Sequence, residues 1–122
     1  MSVNALAGYK SVIFVVTFLI LVAMMLHIAA CVWFFIAKVT LFAPDTWVAR
    51  KGIVDEDSML KYEYSFYWAL TTLTTVGYGD VTAETRNELY MSLIWMFFGV
   101  IFYTCIISIL TTTLTNKDVK QA

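Results

Sequence analysis

Residues 72–80 read TLTTVGYGD. Small hydroxyl side chains lead into two glycines that flank one tyrosine, and an aspartate follows. Long apolar runs lie on both sides. Lipid offers no water to unpaired N–H and C=O groups, so irregular backbone at membrane depth survives only where it is buried in protein or lines water. If the flanking runs cross a bilayer, this stretch must face a pore or cavity.

The runs are long enough to cross. The first extends from Ser11 to Ala37 with no charge and one histidine, bracketed by Lys10 and Lys38; the second extends from Leu89 to Leu114 with no charge at all. A hydrocarbon core of ~30 Å needs about 20 helical residues. The whole chain has 122 residues, 61% hydrophobic and 14% charged, with a mean hydropathy of +0.78. That composition lies outside the range of soluble domains, and so short a chain cannot bury two such helices in a soluble core. The first run is too long for a signal-peptide core and lacks a small-residue cleavage pattern after it. A net charge of −1 argues against nucleic-acid binding through a basic face. Cys31 and Cys105 lie inside the apolar runs and read as small buried hydrophobes. His27 has no second ligand candidate near it in sequence. No internal repeat is visible.

Between the runs the character changes twice. VTLFAPDTWVARKGIVDEDSM, residues 39–59, holds the only proline, a glycine and mixed charge, and reads as an exposed loop. LKYEYSFYWALTTL, residues 60–73, resumes a helix-compatible aromatic pattern, with Ser58 as its expected N-cap. At ~18 Å such a helix reaches only part-way through the bilayer, so it is expected to be re-entrant. After the glycines comes VTAETRNEL, residues 81–89, where Thr85 and Glu88 have capping-box spacing and place the start of the last helix near Arg86.

A regular strand points successive carbonyls to opposite sides. Turning them all one way requires alternate residues to enter conformations that a Cβ disfavours, and Gly77 and Gly79 do so at low cost. The carbonyls of Thr75, Val76, Gly77 and Tyr78, with the Thr75 hydroxyl, then form stacked oxygen rings if several copies surround one axis. Such rings replace the water shell of a bare cation. Val76 and Tyr78 are expected to point outward onto Phe66, Tyr67 and Trp68, which would hold the oxygens at a fixed spacing. The C-terminal end of the half-helix, near Leu73, carries about half an elementary negative charge and favours a cation below the rings.

The run Thr74-Thr75-Val76-Gly77-Tyr78-Gly79-Asp80 resembles the potassium-channel signature, the established example of a carbonyl filter. The order of helix, loop, half-helix, filter and helix is similar to the pore domain of that family and covers nearly the whole chain. DTWV at 45–48, KYEYSFYWALTTLTT at 61–75 and GVIFYTCII at 99–107 are similar to the cyclic-nucleotide-gated and related cyclic-nucleotide-binding-domain channels. The filter is of the potassium type, unlike the shortened filter of the non-selective members. The resemblance implies potassium bound at Thr75, Val76, Gly77 and Tyr78, with Gly79 completing the filter. Tyr67, Trp68, Thr71, Thr74 and Asp80 are then its support. It also implies a homotetramer in the lipid bilayer, which agrees with the residue-level reading: one chain supplies one wall, and a closed ring of identical copies encloses the axis. Many family members have two tryptophans where this chain has Tyr67-Trp68, and the first of them bonds the aspartate after the filter; here the Tyr67 hydroxyl stands in that place. Some members put a glutamate at the position of Thr71.

Further along, Tyr103, Ile107 and Thr111 recur at four-residue spacing on one face of the last helix. They read either as packing against the first helix or as a constriction that closes by dewetting. The resemblance to cyclic-nucleotide-gated channels matches Tyr103 and Ile107 to residues that close the cavity. Gly99 reads as a hinge or as a close-packing site. His27 is expected to be a structural hydrogen-bonding residue rather than a proton relay, and Asp55, Glu56 and Asp57 a solvated loop tip.

The resulting expectation is an all-α membrane protein: two transmembrane helices with a re-entrant pore helix and an extended selectivity filter, assembled as a tetramer. Residues 1–122 form a single pore domain. The outer helix spans 9–38, the extracellular loop 39–60, the pore helix 61–73, the filter 74–80 and the inner helix 86–115. Lys38, Arg50, Lys51, Lys61 and Arg86 lie between the spans, against Lys10, Lys117 and Lys120 in the tails. Taken alone, that bias points the loop to the cytoplasm, opposite to the orientation the resemblance implies, and the latter is adopted. Sensor and cyclic-nucleotide-binding segments are expected to be absent, as in an excised pore fragment. The expected activity is passive potassium conduction through the filter, controlled by an inner-helix gate. No catalysis is expected, and no cofactor beyond K+ as the permeant ion. The plasma membrane is the expected location. A non-selective cation pore and one repeat unit of a potassium transporter are the alternatives.

Overall fold

In a computed structural model the chain forms four helices: α1 (Val3–Val39), α2 (Trp47–Lys51), α3 (Ser58–Leu73) and α4 (Arg86–Gln121). Residues 2–121 are described, apart from the side chains of 113 and 116–121. The architecture is all-helical among these residues. The most apolar windows of α1 and α4 are only 11% buried within the chain, so their side chains face outward. A chain of this hydropathy satisfies that surface in lipid or against further copies.

Both spanning helices exceed the apolar runs that signal them. Ser2 caps α1 by accepting from the Ala5 N–H at 3.2 Å, so helix begins at Val3 and takes in Lys10. α1 ends where the Thr40 hydroxyl donates to the Ala37 carbonyl at 3.0 Å and Leu41 and Phe42 turn the chain at φ 56° and 55°. α4 begins at Arg86, behind the Thr85–Glu88 box: Thr85 Oγ1 accepts from the Glu88 N–H, and Glu88 Oε1 accepts from the Thr85 N–H, each at 3.2 Å.

The segment 39–59 differs from the exposed loop expected of it. Thr46 caps α2 by accepting from Ala49 N–H, Gly52 ends it at φ 78°, and Trp47, Val48 and Ile53 are buried. A capped turn lets this segment place an indole in the core while its backbone groups stay paired. The cap of α3 also differs: Asp57 Oδ1, not Ser58, accepts from the Leu60 N–H at 3.1 Å. With 16 residues α3 is about 24 Å long, still short of the ~30 Å hydrocarbon thickness.

α3 packs between α1 and α4. The buried core lies at that end of the molecule, where Trp33, Trp47, Trp68 and Trp95 meet Ala29, Ala37, Ala69, Leu73 and Val48. The Trp33 and Trp68 rings stack at 3.9 Å and 5°, and Trp47 lies on Trp33 at 5.8 Å and 22°. The Trp47 indole donates to the Trp33 carbonyl at 3.2 Å, and the Trp95 indole to the Ala69 carbonyl at 3.0 Å. Alanines opposite these rings let the helices approach closely enough for aromatic stacking.

Candidate functional site

The chain leaves α3 through a tight backbone knot. Thr75 N–H donates to the Thr72 carbonyl at 3.2 Å; Val76 and Gly77 N–H both donate to the Thr71 carbonyl, at 2.9 and 3.2 Å. The Thr74 hydroxyl donates to the Leu70 carbonyl at 2.8 Å and that of Thr71 to the Trp68 carbonyl at 3.1 Å. The last carbonyls of α3 are therefore satisfied by the segment they introduce. Beyond the knot φ is positive at Thr75 (65°), Gly77 (56°) and Gly79 (78°), and at neither Val76 nor Tyr78 between them. Alternation of positive and negative φ is a pattern that can turn successive carbonyls toward one side. A Cβ placed on Gly77 or Gly79 would meet nothing within 4 Å in the chain. The demand on those positions is thus conformational rather than one of space. Thr75 occupies the left-handed region without being glycine, which no local signal in the sequence announces.

Of the aromatic side chains of α3, one supports the segment directly. The Tyr67 and Tyr78 rings stack at 6.5 Å and 2°. Trp68 turns the other way, onto Trp33, and Phe66 meets Tyr62 at 6.2 Å; Val76 stays 51% exposed. The Asp80 carboxylate raises the Tyr67 phenol above its ordinary pKa, chiefly by accepting a hydrogen bond from the protonated hydroxyl. These two residues line an open recess of about 460 Å³ with Lys51, Leu60, Glu63 and Tyr64. Lys51 lies over the Tyr64 ring at 5.1 Å, and its Nζ donates to the Asp80 carbonyl at 3.5 Å. Glu88 is fully buried. Its spacing to Thr85 predicts the cap, but its reach to the Trp47 N–H, at 3.1 Å, crosses 41 positions and is invisible in sequence.

A family model described as ion transport protein matches residues 6–122. The chain belongs to the ion transport protein family. Among its relatives, the potassium channel KAT3 of Arabidopsis thaliana is 33% identical over 89% of this chain and 17% of its own length. The potassium channel AKT1 of the same plant is 35% identical over 60% of the chain and 9% of its own length. The cone photoreceptor alpha subunit of the chicken cyclic nucleotide-gated channel is 31% identical over 83% of the chain and 14% of its own length. The chain thus spans less than a fifth of each of these relatives. Family membership and two long apolar helices make it an integral membrane protein of ion transport rather than an enzyme.

In this ion transport protein α4 runs unbroken through Gly99. A Cβ there would lie 3.6 Å from Leu73 Cα and 3.8 Å from the Thr72 carbonyl oxygen, so Gly99 is where α4 passes the end of α3. Tyr103, Ile107 and Thr111 are all exposed within the chain. The face of α4 turned to α1 carries Ile106, Ile109 and Leu110 instead, across from Val15, Phe18, Leu19 and Val22. His27 Nδ1 lies 2.6 Å from the Tyr62 hydroxyl and its Nε2 3.6 Å from Cys31 Sγ, which ties α1 to α3.

Proposed function

We propose that this chain is the pore domain of a potassium-selective channel, four copies of which surround one axis. The observation that carries the reading is the alternation of φ at Thr75, Gly77 and Gly79. It supports a wall of carbonyl oxygens from Thr75, Val76, Gly77 and Tyr78 on one side of the segment, with the Thr75 hydroxyl at the inner end. A single wall cannot replace a hydration shell; rings from four copies can, and ions then move by repulsion between adjacent sites. The exposed Val76 and Tyr78 side chains are left for neighbouring copies to cover. The names of the plant relatives agree with potassium as the permeant ion.

Tyr103, Ile107 and Thr111 are free of α1 and form the constriction on the axis, with opening produced by separation of the inner ends of α4. Residues 39–60 lie on the extracellular side of the plasma membrane. The chain functions as one pore domain, with the outer helix, loop, pore helix, filter and inner helix in the order described.

Single-channel recording of the purified chain in a planar bilayer, under opposed potassium and sodium gradients, tests the reading. The expected reversal potential follows the potassium gradient, and external barium blocks the current. A reversal potential indifferent to the exchange of sodium for potassium would replace this reading with a non-selective cation pore. Chemical crosslinking that stops short of four copies would remove the ring.

A further inference from the structure

Glu88 draws its partners from the main chain. Oε2 accepts from the Trp47 N–H at 3.1 Å, and Oε1 accepts from Glu84 N–H at 2.9 Å and Thr85 N–H at 3.2 Å. A helix cap needs only the Thr85 contact. The other two gather the end of the segment that leaves the filter and the start of α2 onto one buried carboxylate. We propose that Glu88 is the positioning residue that holds the outer end of the filter to the pore helix. This rests on the reading of residues 75–79 as the ion path.

The restraint has a continuous route. Trp47 stacks on Trp33 and Trp33 on Trp68, all three at least 95% buried. Trp68 is the chain neighbour of Tyr67, whose ring lies on Tyr78 in the filter. The inner end of the filter is already fixed, through the Thr71 carbonyl. Between Asp80 and Thr85 the backbone is irregular; Asp80 is held by its contacts to Tyr67 and Lys51, Val81 and Ala83 pack on the core, and Glu88 holds the far end through Glu84 and Thr85. Glu88 therefore makes both ends of the filter refer to one rigid body. Without it the filter still forms, but its exit is free to leave the conducting geometry. An ion that binds only the formed filter opposes that loss by mass action, so external potassium must counteract it.

Glu88→Gln tests the tie with little change of shape. An amide offers one acceptor oxygen, so in either orientation its NH2 meets main-chain N–H groups. In reconstituted channels at constant voltage, current through Glu88→Gln decays on the order of tenfold faster than the parent at low external potassium. The difference shrinks as potassium rises, while the reversal potential at opening is unchanged. Thr85→Ala removes only the cap hydroxyl, and lowers thermal stability without speeding the decay. Equal decay in Glu88→Gln and parent overturns the inference, as does Thr85→Ala reproducing the effect. Where Glu88→Gln fails to assemble, hydrogen exchange on the parent decides: the Trp47, Glu84 and Thr85 amides exchange together and more slowly in potassium than in sodium. Identical exchange in the two salts overturns the tie. A parent chain that passes no potassium sinks the pore reading itself; normal parent flux with an unaltered variant sinks this inference alone.

Discussion

The end of the molecule that holds α2 and α3 and the remainder of the two long helices are built on opposite plans. Around α2, α3 and the ends of α1 and α4, four tryptophans and a carboxylate are buried within a single chain, and the carboxylate and the Trp47 and Trp95 indoles are hydrogen-bonded there. Along the rest of α1 and α4 most of the described large apolar side chains are exposed, and α1 meets α4 less extensively than it meets α3. On the reading proposed above, oxygen rings that substitute for hydration need a frame that holds their spacing, and a dense aromatic core would supply it. A gate must instead exchange between two arrangements, and helices with few contacts to each other do so at small cost. Dense packing is local to α2, α3 and the adjoining ends of α1 and α4, and sparse packing to the rest of the two long helices.

The contrast breaks first, and most severely, at Trp33. Trp33→Ala removes the centre of the fully buried stack and is expected to cost about 3–5 kcal/mol, read as a large fall in the thermal midpoint in detergent. Trp33→Phe keeps a stacked ring and deletes an indole N–H that has no acceptor among the described residues, so its loss is smaller. Equal losses would mean that stacking is not what holds the frame. Gly77→Ala comes next. At φ 56° a Cβ is disfavoured by about 1–2 kcal/mol, so each ring misaligns in every copy and potassium-over-sodium selectivity falls about tenfold or more. The chain should still assemble, because the added methyl meets no neighbour within 4 Å of its own chain. Retained selectivity in bi-ionic recordings would remove the carbonyl-ring geometry.

At the other pole, Tyr103→Ala should leave selectivity intact while the closed pore leaks several-fold more, because a narrower apolar ring is what expels water. An unchanged closed-state leak places the constriction elsewhere on α4. The smallest effect is expected at the Tyr67–Asp80 contact, at the exposed rim of the frame. Its phenol pKa is raised, so the contact is fully present below the ordinary tyrosine value of about 10. It is lost as pH rises through the raised value. Parent channels should therefore show shorter openings at strongly alkaline pH, and Tyr67→Phe should show them at neutral pH with no further alkaline change. A Tyr67→Phe channel that retains the parent's alkaline response would assign that response to another group.

Much of this architecture is legible in the sequence. The spans announce themselves by length and lack of charge, the half-helix by being too short to cross, and the start of α4 by the Thr85–Glu88 spacing. The structure differs from the sequence-based expectation at helix ends and in the loop. Helix continued past the apolar runs where a cap was available, at Ser2 for α1 and at the Thr85–Glu88 box for α4. Residues 39–59 carry proline, glycine and charge, which masked the capped turn that buries Trp47. Four-residue spacing places Tyr103, Ile107 and Thr111 on one face but leaves open which neighbour that face meets; in the folded chain Ile106, Ile109 and Leu110 face α1 instead.

Hydropathy and glycine placement are properties of contiguous residues, so the sequence alone determined a membrane chain with a re-entrant segment and a backbone free to turn its carbonyls one way. Which side chains hold that backbone depends on contacts between residues far apart along the chain. The Glu88–Trp47 bond and the Trp47–Trp33–Trp68 stack were decided only when the helices packed. Burial and orientation are consequences of that packing and carry no signature in local spacing.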